Sequence, residues 1–170
     1  ITIDIPKTGT TSINHALCDV LGVNDFTVKM SHNIGMRHAT YKQCMEKFPG
    51  FENYFSFAFV RNPWDRQVSG WLFKKYIARI KISKNTSLGE FIETCKNTQF
   101  SLIDGFGNNS FIGRFENLQE DFNTICDKIG IPQQQLPHVN KSNHKHYTEY
   151  YDDETKQIVA EKYAKDNIKL

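Results

Sequence analysis

Ile1-Thr2-Ile3-Asp4-Ile5-Pro6-Lys7-Thr8-Gly9-Thr10-Thr11-Ser12-Ile13 is the stretch from which the fold is read. Its first five residues alternate apolar and polar and are rich in β-branched side chains, so they predict a strand. Pro6 ends it, and Gly9 marks a short loop. Beyond the loop, Ile13, Ala16, Leu17, Val20 and Leu21 recur at helical spacing until Gly22. The unit is strand, loop, helix.

Further along, Phe26 to Lys29 is expected as a short strand and Met30 to Arg37 as loop. Ala39 to Phe48 predicts a helix closed by Pro49-Gly50. Tyr54 to Val60 is a continuous aromatic and apolar run, as a buried central strand requires. Asn62-Pro63 breaks it, and Trp64, Val68, Trp71 and Leu72 mark one face of a long helix. A helix is expected over 87–97, loop or hairpin over 102–109, and a strand over 110–115. Leu118, Phe122, Ile125, Cys126 and Ile129 define an amphipathic helix. A polar, His-rich segment (133–147) precedes a final helix over 152–168. Strands alternating with helices give an α/β fold with a mainly parallel sheet flanked by helices. No repeat or linker divides the chain, so residues 1–170 are expected to form a single domain.

In such sheets ligands bind at the carboxyl ends of the strands. The loops after Ile5 and after Val60 therefore meet at one site if their strands are neighbours. The first loop, Pro6-Lys7-Thr8-Gly9-Thr10-Thr11-Ser12, opens a helix, whose free N–H groups and partial positive charge attract anions. Gly9 lets the backbone approach closely, the hydroxyls add donors, and Lys7 adds a full charge. The alternative is a Thr-rich helix cap with no ligand. The loop is not the Mg²⁺-nucleotide motif GxxxxGK[ST]: Lys7 precedes Gly9 and the GK[ST] step is missing, which disfavours an ordinary ATPase or GTPase.

The second loop is Arg61-Asn62-Pro63-Trp64-Asp65-Arg66-Gln67-Val68-Ser69. Arg61 leaves a buried strand end, where an unpaired guanidinium is costly, so it calls for an anionic partner. That partner is a ligand anion, which the Ser69 hydroxyl also reaches, or a carboxylate such as Asp65. Arg66 either covers a neighbouring position or is solvated.

Composition sets the outer bounds. Hydrophobic residues make up 39% and charged residues 24%, with 13 Phe, 7 Tyr and 2 Trp, which excludes a largely disordered chain. A net charge of +2 argues against a dedicated nucleic-acid binder. Cys18, Cys44, Cys95 and Cys126 have no metal-ligand spacing and are expected as buried reduced thiols, with one disulfide as the alternative. No run predicts a membrane span and no signal peptide is visible. The chain opens at Ile1 without Met, inside its first expected strand, so the absence of a visible targeting segment carries little weight and missing N-terminal sequence stays open. The expected compartment is the cytoplasm, or the Golgi lumen if an N-terminal anchor precedes. The Asn-x-Ser/Thr sequons at Asn85, Asn108 and Asn140 are read as chance in an Asn-rich chain.

PKTGTTS followed by RNPWDRQVS resembles the two donor-binding signatures of the sulfotransferases that use 3′-phosphoadenosine 5′-phosphosulfate (PAPS), most closely the carbohydrate-type branch with Golgi and bacterial members. Phe111-Ile112-Gly113-Arg114-Phe115-Glu116-Asn117-Leu118 resembles that family's later strand and helix start. Leu136 to Tyr151 resembles its C-terminal region. The resemblance implies a P-loop-like three-layer fold. It also implies that Pro6, Lys7, Thr8, Gly9, Thr10, Thr11 and Ser12 hold the 5′-phosphosulfate, and that Arg61 and Ser69 hold the 3′-phosphate. Lys7 would serve the leaving phosphate and the sulfuryl group. The catalytic base would be His38, which matches a His of bacterial members, with His32 as runner-up; a helix cap or a surface role is the alternative for either. His138, His144, His146 and Lys141 would lie near donor or acceptor, with Lys141 among the donor-binding residues. His15 is read as a surface or core residue and Glu116 as a helix cap. No metal is required. The implied reaction is in-line transfer of a sulfuryl group from PAPS to a carbohydrate-type hydroxyl. A non-catalytic nucleotide- or sulfate-binding module and a small nucleotide kinase are the competing readings.

Overall fold

The structure is a computed structural model that describes residues 1–22, 38–76, 85–137 and 145–169. The strand expected over 26–29 and the loop over 30–37 lie outside these, as do His32, His138, Lys141 and His144.

Strand β1 (Thr2–Ile3) leads through the first loop into helix α1 (Thr10–Leu21). Helix α2 (Tyr41–Lys47) begins with a capping box: the Thr40 hydroxyl accepts from the Gln43 N–H while the Gln43 side chain accepts from the Thr40 N–H. Strand β2 (Ser56–Val60) follows and is buried along its whole length. Helices α3 (Pro63–Tyr76), α4 (Leu88–Thr94) and α5 (Gln99–Ile103) then lead to β3 (Ser110–Arg114). The chain ends in α6 (Leu118–Ile129), α7 (Asp153–Lys162) and α8 (Ala164–Lys169).

The sheet has the order β1-β2-β3 and is parallel throughout. Thr2 and Ile3 lie opposite Phe57 and Ala58, while Ser56 to Val60 lie opposite Ser110 to Arg114. Alternation along β2 builds the layers. Phe57 and Phe59 join Ile13, Leu17, Phe122 and Ile125 of α1 and α6 on one face. Ala58 and Val60 join Ile3 of β1, Ile5 just after it, Tyr41 of α2, and Leu102 and Ile103 of α5 on the other. This is the expected three-layer α/β arrangement, with β2 central. A third cluster packs α3 and α4 against Val159 and Tyr163 beside the sheet. Gly113 of β3 has no room for a side chain, since a Cβ there would stand 2.5 Å from the Phe59 ring.

Three expectations need correcting. The first strand is shorter than residues 1–5, because the Ile5 carbonyl accepts from the Thr8 hydroxyl (2.8 Å) as the chain turns into the loop. Helix α5 occupies part of the stretch read as loop or hairpin. It is too short to show a period; Thr98 caps it, and the Asp166 carboxylate accepts from the N–H groups of Gln99 and Phe100 (2.9 and 2.8 Å). The final helix is interrupted at Tyr163, which is fully buried in the third cluster. The four cysteines are free thiols, with Cys44 and Cys126 buried and Cys18 and Cys95 half-buried. No described helix is long and apolar enough to cross a membrane.

Candidate active site

Because β1 and β2 are hydrogen-bonded neighbours running in parallel, the loops at their carboxyl ends meet. The contact is direct: Arg61 Nη1 donates to the Lys7 carbonyl at 3.1 Å, and Arg66 Nε donates to the Pro6 carbonyl at 3.1 Å.

In the first loop, Lys7 and Gly9 both have left-handed backbone, with φ of 71° and 82°. Such a φ is uncommon for a residue with a Cβ, so Lys7 stores local strain. At Gly9 the space is closed as well: an added Cβ would lie 2.9 Å from Leu118 Cδ2 and 3.3 Å from Phe115 Cδ2. The segment after β3 thus packs directly against the loop. Ser12 and Ile13 N–H groups fold back onto the Gly9 carbonyl, whereas those from Lys7 to Thr11 find no such partner among the described residues. Orphan donors at a helix start are the raw material of an anion site. The Thr8 hydroxyl is not one of them: it is fully buried and donates to Ile5. Thr11 is exposed, Thr10 half-buried, and Ser12 buried in the first turn of α1.

The Lys7 side chain runs past Gly70 of α3 and sets its ammonium 4.0 Å from the centre of the Phe73 ring. Burial, and then the nearby Arg61 charge, hold its pKa below the ordinary lysine value. Phe73 went unread in the sequence, although it stands four residues after Ser69 on the same helix.

Arg61 is gripped on every side. Its Nε and Nη2 both lie 2.8 Å from Asp65 Oδ2, its Nη1 bonds the Lys7 carbonyl, and its face stacks 4.0 Å from the Phe115 ring centre. The carboxylate partner weighed from the sequence is therefore present. One hydrogen on each terminal nitrogen remains for a second anion. Its backbone is fixed too: Gln99 Oε1 accepts from Arg61 N–H and Gln99 Nε2 donates to the Arg61 carbonyl, both at 2.8 Å. Ser69 is buried in the second turn of α3. Arg66 is not solvated; it is buried, with only 9% of its surface exposed.

The segment after β3 closes the site. Glu116 Oε1 accepts from the Asn62 N–H at 2.7 Å, so it ties two loops together and does not cap its own helix. Asn62 Oδ1 in turn accepts from Trp64 and Asp65 N–H groups and starts α3. Tyr151 donates to the Trp64 carbonyl at 2.8 Å.

His38 is half-exposed and turns Nδ1 to Asp4, 3.1 Å from its carbonyl and 3.5 Å from its carboxylate. A carbonyl only accepts, so in the neutral ring Nδ1 carries the proton and Nε2 keeps the lone pair. His15 is exposed on α1, and His146 is exposed, its Nδ1 2.7 Å from the Thr148 hydroxyl. No group of three or more His, Cys, Asp or Glu able to hold a metal occurs among the described residues.

Comparison with known proteins bears on this arrangement. A family model described as Sulfotransferase family matches residues 1–101, more than half of the chain, including β1, β2 and both loops. An uncharacterized protein of Archaeoglobus fulgidus is 32% identical over 107 residues, an alignment that covers 57% of this chain and 85% of the archaeal one.

Proposed function

This chain belongs to the sulfotransferase family, and from that premise we propose that it is a PAPS-dependent sulfotransferase acting on a carbohydrate-type hydroxyl, with residues 1–170 as one catalytic domain. The observation that carries the reading is the junction of the two loops, with Arg61 donating to Lys7 and Arg66 to Pro6. A 3′-phosphorylated nucleotide needs two anion sites, and the donors on each loop of this junction support that reading. When bound, PAPS supplies an activated sulfuryl group on its 5′-phosphate.

The chain's own residues then have distinct tasks. Backbone N–H groups from Lys7 to Thr11, with the hydroxyls of Thr10, Thr11 and Ser12, hold the 5′ end. The Lys7 ammonium balances charge that builds on the leaving oxygen, as in other transfers where positioning and electrostatics dominate. The remaining guanidinium hydrogens of Arg61, together with Ser69, hold the 3′-phosphate. His38 accepts the acceptor's proton at Nε2, which the Asp4 contact leaves open. His32 and Lys141 keep their proposed roles as alternative base and donor contact. The carbohydrate acceptor rests on the likeness of both loops to the carbohydrate-type branch.

The test is thermal unfolding and calorimetry with adenosine 3′,5′-bisphosphate, the desulfated donor product, against ATP with Mg²⁺. Strong stabilisation by the bisphosphate alone is expected. Stabilisation by Mg²⁺-ATP instead points to a kinase and overturns the reading. Bisphosphate binding without sulfuryl transfer to any saccharide in a panel reduces it to a binding module.

A further inference from the structure

Arg66 stands in an unusual position. It is buried, among the described residues it has no carboxylate within ion-pair distance, and its Nη1 has no hydrogen-bond partner. Asp166 is the nearby carboxylate, but both of its oxygens already accept from the N–H groups of Gln99 and Phe100. Tyr163 lies on the same side, its buried hydroxyl beside the Cys95 thiol. A buried charge with an unmet donor is costly. Burial holds the Arg66 pKa below its ordinary value, with Tyr163, Asp166 and Cys95 opposing the shift. Stability alone does not account for such a residue, because an apolar side chain of similar length would fill the space at lower cost.

Its hydrogen bond to the first loop shows where the charge is directed. Arg66 Nε pulls the Pro6 carbonyl, and Arg61 Nη1 pulls the next carbonyl, that of Lys7. In a planar trans peptide the N–H points opposite to the C=O. The Lys7 and Thr8 N–H groups therefore each point away from the guanidinium that holds the carbonyl of their own peptide. Arg61's charge is balanced by Asp65; Arg66's charge is not balanced in this way.

We propose that Arg66 is a positioning residue whose buried charge, without an ion-paired carboxylate among the described residues, gives the 6–12 loop much of its affinity for a sulfate or phosphate group, at a cost to the stability of the ligand-free protein. The inference rests on the reading of that loop as an anion cradle. It goes beyond that reading by assigning part of the anion's counter-charge to a side chain that the anion does not touch.

The experiment compares the wild-type chain with Arg66→Met and Arg66→Lys. Thermal unfolding is measured without ligand, and binding of adenosine 3′,5′-bisphosphate and of inorganic sulfate is measured over a range of ionic strength. Arg66→Met should unfold at the wild-type temperature or above it. It should bind both anions at least ~10-fold more weakly, with a shallower dependence on salt. Arg66→Lys should keep more affinity than Arg66→Met. Wild-type affinity in Arg66→Met overturns the proposal. So does a less stable or unfolded Arg66→Met, or an Arg66→Lys that binds no better than Arg66→Met, since either marks a mechanical brace. Wild-type protein that binds sulfate but not the bisphosphate refutes the PAPS reading; a loss of sulfate affinity in Arg66→Met then still supports the role of Arg66. Wild-type protein that binds neither overturns both.

Discussion

Residues 6–12 and residues 61–69 meet at one end of the same sheet, yet they offer their donors differently. The first loop offers backbone N–H groups shaped by two left-handed residues, and its Thr8 hydroxyl is turned inward. The second offers side chains, and most of them are already engaged: Arg61 with Asp65, Lys7 and Phe115, and Asn62 with the start of α3. Backbone donors held by packing are ready for an anion at once. Side-chain donors held by a carboxylate are ready only in the directions that the carboxylate leaves open. On the proposed reading, the first loop sets geometry and the second sets which phosphate is admitted.

The strongest test removes the charge from each side in turn. Lys7→Ala and Arg61→Ala should each lower sulfuryl transfer by about 100-fold or more. Calorimetry with adenosine 3′,5′-bisphosphate should show the larger affinity loss for Arg61→Ala, and the reverse order would break the assignment of the 3′-phosphate to the second loop. Asp65→Ala probes the engaged state. It leaves a nearly buried guanidinium short of partners, and denaturant unfolding should show a loss of about 1–3 kcal/mol. Bisphosphate affinity should fall with it, because Arg61 then lacks its guide. A rise in affinity would mean that Asp65 competes with the ligand.

Gly9→Ala addresses the backbone loop, where the added Cβ meets Leu118 and the positive φ is strained, so about 1–3 kcal/mol should be lost. Combining it with Leu118→Ala relieves the contact but not the φ; any stability recovered measures how far packing, and not conformation, shapes the loop. The gentlest probe is pH. Because the Lys7 pKa is depressed in the fold, the unfolded chain holds this proton over a window, below 10.5, where the native chain has lost it. Through that window the Lys7 contribution makes the ligand-free protein more stable as pH rises, while bisphosphate affinity falls. Lys7→Arg should extend binding to higher pH. Titration calorimetry across that range checks both signs.

Much of this was legible in the chain. The alternation of residues 1–5, the break at Pro6 and the apolar run to Val60 identified two strands whose ends carry the site. The parallel pairing of β1 with β2 then brought the loops together. What escaped reading was held by distant partners. Nothing local to Gln99 announces that it bonds both the N–H and the C=O of Arg61. Helix α5 starts under a carboxylate 67 positions away, which no periodicity reveals. Phe115 and Glu116 lay inside a recognised motif, but their contacts with Arg61 and Asn62 depend on β3 standing beside β2. The sequence left Arg66 open between covering a neighbouring position and facing water, because a charge on an amphipathic helix usually faces water; its burial beside Tyr163 and Cys95 removes the second alternative.

Gln99 also has a consequence in time. It links Arg61 to Asp166, so the candidate site depends on a contact between chain positions far apart in order of synthesis. Both loops leave the ribosome well before Asp166 does. The peptide that presents Arg61 gains its last anchor only when residue 166 has emerged and α8 has docked. Pocket assembly is thus a late step in the chain's biogenesis, and a nascent chain has its loops well before it has a finished site.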